Sequence, residues 1–139
     1  MQNRTGSSPV IGILIFKTIF KRKKHIMKFT YSFNIDEEIF ADMFESLFDS
    51  ITHWCRIEKY DSDNYVAQCK MSTKYIHEGQ EIKEFTITLN NIVNGFQALC
   101  DKNEAWCKRH IKSVEYGDYD AETVDVLIQM SIFNDVIFG

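Results

Sequence analysis

The sequence predicts an α+β domain, in which an antiparallel sheet of three or four strands is packed by about four helices. Three observations carry that prediction. Apolar residues recur at helical spacing from Ile39 to Ile51, short β-branched and aromatic stretches separated by turn residues follow between Cys55 and Leu89, and helical patterns return after Asn90. The chain can afford such a core: 139 residues is the size of one domain, and 45% hydrophobic residues with a single proline supply enough apolar surface to offset chain entropy.

Taken in order, Met27 to Phe33 alternates Phe29, Tyr31 and Phe33 with Lys28, Thr30 and Ser32, the period of a half-buried strand or extended arm. Asn34 with Glu37 three residues later reads as a capping box. The helix it opens would bury Ile39, Phe40, Met43, Phe44, Leu47, Phe48 and Ile51. Turn residues at Asp61-Ser62-Asp63-Asn64 and at His77-Glu78-Gly79-Gln80 then divide the next stretch into a meander of three strands, the last being Glu84 to Leu89. Asn90 or Asn91 is placed to cap a helix with Ile92, Val93, Phe96, Leu99 and Cys100 on its apolar face, and a shorter helix covers Glu104 to Val114. After the break at Tyr116-Gly117-Asp118-Tyr119, Asp120 caps a final helix presenting Val124, Leu127, Ile128, Ser131 and Ile132. The apolar end Val136-Ile137-Phe138 is expected to pack against the domain.

The first 26 residues stand apart. They hold six of the chain's 16 basic residues and none of its 20 acidic ones. Val10 to Phe20 is about half the length that crosses a bilayer and is interrupted by Lys17, and the cluster Lys21-Arg22-Lys23-Lys24 follows the apolar run where a signal peptide would have its charge before it. Gly6-Ser7-Ser8-Pro9 resembles the accidental translation of the end of a transfer-RNA gene. Residues 1–26 are therefore read as a non-native or disordered basic leader and 27–139 as a single acidic α+β domain, with Met27 as the start; a basic amphipathic arm is the alternative.

From Met27 onward, ten basic residues face 20 acidic ones, a formal charge of −10. Such a field repels phosphate backbones, which argues against direct binding of polymeric nucleic acid and for a basic partner surface. Cys55, Cys69, Cys100 and Cys107 form no dense framework, so reduced thiols and a cytoplasmic setting are expected, with no membrane association.

No phosphate-cradling glycine loop, nucleophile elbow, paired-histidine zinc helix or dinucleotide fingerprint occurs, so no catalytic residue, cofactor or metal is assigned. Cys55 with His53 and Cys107 with His110 are the residues that a nucleophilic pair or a zinc site would use, weighed against buried structural cysteines and surface histidines. Candidate contact residues are His53, Trp54 and Arg56, then Trp106 and Arg109, where an indole could stack a base and a guanidinium could grip a phosphate. Asp125 and Gln129, four apart, form a polar ridge on the final helix that could bind a partner or tie down the Trp54 region.

The step His53-Trp54 at a helix end, and the ending Asp120-Ala121-Glu122-Thr123-Val124-Asp125, Gln129, Phe133 and Phe138-Gly139, resemble a group of small bacteriophage and mobile-element proteins. The likeness spans most of Met27 to Gly139, and the tail is its more specific part. The chain has Asp49-Ser50 where that group has Gly-Gly, and Asn134 where a glycine often follows the phenylalanine. The resemblance implies a phage or mobile-element accessory protein in the bacterial host cytoplasm. In that setting two roles are expected: sequestering a nucleotide second messenger of a host defence system, or blocking a host defence protein as an acidic, nucleic-acid-mimicking inhibitor of the anti-CRISPR kind. A structural or replication accessory acting as a homo-oligomer is the third.

Overall fold

The computed structural model describes residues 10–22, 25–72 and 83–139, with the side chains of the first hairpin described from Ser32 onward. The architecture is α+β: five helices, a three-stranded antiparallel sheet and a two-stranded hairpin among the described residues. Strands β1 (Val10–Arg22) and β2 (His25–Asp36) pair antiparallel, Arg22 opposite His25 and Val10 opposite Asp36. The strand read from Met27 to Phe33 lies within β2, and β1 occupies half of the segment read as a leader.

β2 runs straight into helix α1 (Glu37–Glu45), whose N-cap is Asp36: its carboxylate accepts from the Glu38 N–H at 3.1 Å. The start at Asn34 is thus corrected by two residues. Asn34 and Ile35 are held extended by pairing with Ile13 and Gly12, so neither can cap. Ser46 ends α1 and a short helix α2 (Leu47–Ser50) continues from it. Phe40, Met43, Phe44, Leu47 and Ile51 are buried as the spacing requires, whereas Phe48 is 48% exposed. The interruption at Ser46 shifts the helical phase, turning Ser50 inward and leaving Phe48 edge-on to Tyr60 at 4.9 Å.

The sheet has the order β3 (Cys55–Asp61), β4 (Val66–Met71), β5 (Glu84–Thr88). Registry puts Ile57, Cys69 and Phe85 on one face together with Ala67 and Ile87, against the helices. The other face is polar, and there Lys70 reaches Glu58 at 3.9 Å and Glu84 at 3.3 Å. Asp61 builds the first turn by accepting from the N–H groups of Asp63 and Asn64, each at 3.1 Å. The turn read at His77-Glu78-Gly79-Gln80 lies outside the described residues.

Helix α3 (Leu89–Lys102) follows β5 without a loop and is capped at Thr88, before the expected Asn90 or Asn91, with Asn91 taking part from N3: its side-chain oxygen accepts from the Thr88 N–H at 2.7 Å, closing the capping box. Helix α4 (Ala105–Glu115) matches its expected span, and α5 (Ala121–Phe133) is capped by Asp120, which accepts from the Thr123 N–H at 3.0 Å. The one-sided face expected for α5 is corrected. Thr123 through Met130 are all buried, because α5 packs against α3, α2 and α4 and no side of it lies open to solvent over two turns. Gly95 permits this: a Cβ there would collide with the backbone carbonyl of Leu127, so only glycine lets α3 lie so close to α5.

Candidate functional site

Two places gather the candidate residues, on different sides of α5. The first centres on Trp54, the last residue of the turn that follows α2. Its backbone is fixed at both ends, by its N–H to Ile51 O at 3.1 Å and by Ser72 N–H to its own carbonyl at 2.8 Å. The indole is fully buried. Phe85 stacks on it at 5.6 Å between ring centroids and 20° between planes, and Phe138 also stacks on it, at 5.0 Å and 13°, while Phe133 meets it obliquely at 5.7 Å. Nε1–H donates to Asp125 Oδ1 at 2.7 Å.

Gln129, fully buried one turn beyond Asp125, completes the arrangement. Its Nε2 donates to Asp125 Oδ1 at 3.0 Å and to the Phe138 carbonyl at 3.0 Å, and its Oε1 accepts from the N–H groups of Ile137 at 2.9 Å and Phe138 at 2.8 Å. His53 Nε2 lies 3.3 Å from Asp125 Oδ2 and is the solvent-facing end of the chain of contacts. Burial pushes the Asp125 carboxyl above its ordinary range, opposed by the hydrogen bonds from Trp54 and Gln129 and by the His53 charge. His53, Trp54, Asp125 and Gln129 are therefore brought together, and the sequence expectation that the polar ridge ties down the Trp54 region describes this geometry. The stacking role given to Trp54 is corrected, since the indole is fully buried and already stacked on Phe85 and Phe138.

Arg56 does not join them. It lies on the polar outer face of the sheet, 72% exposed, with Glu58 at 3.6 Å. The two-residue spacing from Trp54 would place both side chains on one face only if both were in the strand, but β3 begins at Cys55.

The second place is a groove of about 440 Å³ on the other side of α5, bounded by Trp106, Arg109 and His110 of α4 and by Glu122, Val126 and Val136. Trp106 is half-buried, with Nε1–H donating to Glu104 Oε2 at 2.6 Å. Arg109 reaches Glu122 at 3.3 Å and His110 Nε2 at 3.4 Å; His110 Nδ1 lies 2.9 Å from the Thr123 hydroxyl. With Nε2 accepting from Arg109, Nδ1 carries the proton and donates to Thr123, a neutral imidazole. Burial, and then the Arg109 charge, holds the His110 pKa below the usual histidine range. Trp106 and Arg109 thus share one concavity, as their spacing suggested. Lys102, Glu104 and Asp135 complete the lining and were not among the candidate residues, the one sequence signal for them being the Glu104-x-Trp106 spacing, while Thr123 was named only within the resembling tail.

The cysteines point inward. The Cys55 thiol hydrogen-bonds to that of Cys69 across the β3–β4 pair, which with burial pushes its pKa up; burial also raises Cys100 and Cys107. The same thiol–thiol contact lowers Cys69 against the effect of its burial, so Cys55, Cys100 and Cys107, but not Cys69, shift opposite to an activated nucleophile. Among the described residues no group of three or more His, Cys, Asp or Glu side chains is arranged to hold a metal ion, so His53, Cys55, Cys107 and His110 do not assemble as one ligand set. No described helix is long and apolar enough to cross a membrane.

Comparison of the chain with family models, curated proteins and solved structures finds no match.

Proposed function

We propose that the protein is an accessory binding protein that occupies a basic surface on another protein. The observation that carries this reading is the charge distribution. Over the whole chain 20 acidic residues face 16 basic ones, and from Met27 onward the same 20 face ten. Glu37, Glu38, Asp42, Glu45 and Asp49 run exposed along α1 and α2, with no lysine or arginine between Glu37 and Thr52. Among the described residues none of these five carboxylates sits in an ion pair. A row of unneutralised carboxylates on one side of a rigid domain attracts a basic groove over roughly a Debye length, about 8 Å at physiological salt. The phage and mobile-element resemblance supplies the setting, in which the partner is a host defence protein whose nucleic-acid groove is blocked.

The test is competition. The protein is added to candidate nucleic-acid-binding defence effectors, and their DNA or RNA binding is followed at about 50 and 300 mM salt. Displacement that weakens steeply with salt is expected for an effector that it inhibits; inhibition indifferent to salt would remove the electrostatic basis of the reading.

A second reading, capture of a nucleotide signal, draws on the Trp106–Arg109 groove alone, because the Trp54 faces are closed. It predicts thermal stabilisation by at least one member of a cyclic and linear nucleotide panel, with loss of the shift in Arg109→Gln. A flat panel eliminates it.

A further inference from the structure

The groove beside α4 identifies a side chain that the basic partner would supply, an inference that rests on the acidic-surface reading and goes beyond it. Both cations at the groove already have carboxylate partners, Arg109 with Glu122 at 3.3 Å and Lys102 with Glu104 at 3.8 Å. Asp135 is the surplus charge. Its Oδ1 accepts from the Val136 N–H at 2.8 Å, and no cation among the described residues pairs with it. Trp106 is held in place through its Nε1 bond to Glu104. The Trp106 ring meets the His110 ring in a T-shaped arrangement at 6.4 Å between centroids, and among the described residues no lysine or arginine is placed over it, the cation–ring contact there being Lys83 over Phe133. Val126 and Val136 supply apolar wall.

A π-face, an aliphatic wall and an unneutralised carboxylate within one cavity of about 440 Å³ are complementary to a guanidinium, which stacks on its flat faces and donates from its edge. We propose that this groove receives an arginine side chain of the basic partner, stacked on Trp106 and paired with Asp135. Lysine fits less well, because an ammonium group offers no plane to stack and gives up its hydration less readily. An anion fits worst, since it would meet the carboxylates of Glu104, Glu122 and Asp135 against two cations already engaged.

The experiment uses the full chain, nitrogen-15 labelled at its two tryptophans, titrated at low salt with a blocked tetra-arginine peptide. The two indole N–H signals separate the sites, Trp54 reporting the buried core and Trp106 the groove. A saturable shift of the Trp106 signal with Trp54 unmoved is expected, with weaker binding of blocked tetra-lysine. Asp135→Asn, which keeps the oxygen that accepts from Val136, is expected to weaken affinity roughly threefold to fivefold, and its unchanged Trp54 signal will show that the fold is intact. If the peptide binds while Trp106 stays unmoved, the groove assignment falls and the acidic-surface reading stands. If tetra-arginine does not bind at all, both fall. If pyrophosphate moves Trp106 and Arg109→Gln abolishes that movement, the groove is an anion site and the arginine proposal is overturned.

Discussion

Gly95 has no side chain to read, yet it sets how closely the two central helices approach. A methyl group there would press into the Leu127 carbonyl, which is backbone and cannot rotate away. Gly95→Ala should therefore cost about 3 kcal/mol or more in a urea melt, even though alanine is the better helix former, with the midpoint falling and the slope unchanged. A gain in stability would show that α3 and α5 are not packed this tightly. Trp54 makes the complementary case. Trp54→Phe keeps an aromatic ring in the stack but removes the donor that holds Asp125 Oδ1 at 2.7 Å, so a loss of about 1–3 kcal/mol is expected from the under-bonded buried carboxylate. At this scale the sequence was half legible. An Asp and a Gln four apart on a helix announce a polar pair, but whether that pair faces water or a buried indole depends on what covers the helix, and residues far along the chain decide that.

At the scale of elements, β2 to β5, the turn at Asp61 and the spans of α4 and α5 could be read from periodicity and punctuation, because those signals are local, whereas β1 falls in the segment read as a leader. The misplaced caps of α1 and α3 share a cause. In each case a strand runs directly into a helix, so tertiary strand pairing rather than cap preference sets the boundary. The orientation of α5 could not be read for the opposite reason: a helix buried over two turns has no solvated face to anchor its phase, and its polar residues Asp125 and Gln129 are themselves buried. Its C-terminal turn is legible afterwards. Asn134 takes the left-handed conformation at φ 55°, a position that favours glycine and tolerates asparagine, and it sends the tail back over Trp54. Gln129 clamps that tail by three hydrogen bonds. Truncation before Val136 is expected to remove about 3 kcal/mol or more and, in a Trp106→Phe background, to shift the Trp54 emission to the red as water reaches the indole; Phe138→Ala should give a milder version of both effects. An unchanged melt and emission maximum would mean that the tail is not part of the core.

For the whole molecule, buried titratable groups of opposite sign make stability depend on pH in a way that net charge alone would not suggest. His110, facing Arg109, Glu122 and Asp120, has its pKa lowered mainly by burial. The folded state then binds fewer protons than the unfolded one below the ordinary histidine value of 6.5, so its contribution is complete above that pH and is lost as pH falls through the lowered value. Asp120, lowered chiefly by the Thr123 N–H, behaves likewise, its contribution being present above 3.8 and lost on further acidification. Asp125 runs the other way. Raised by burial, its carboxyl favours the folded state most when protonated, and that contribution is lost as pH climbs from 3.8 through the raised value. Between those limits Asp125 offsets part of the acid loss caused by His110. Asp125→Asn keeps an oxygen for Trp54 and Gln129 and removes the titration, so its stability should decline more steeply on acidification from about pH 7 to 4 than that of the unaltered protein. His110→Gln should decline less steeply over the upper part of that range. Urea midpoints at unit intervals of pH measure both slopes; parallel profiles for Asp125→Asn and the unaltered chain would mean that the carboxylate beneath Trp54 is solvated rather than buried, and the clamp on the tail would need another explanation.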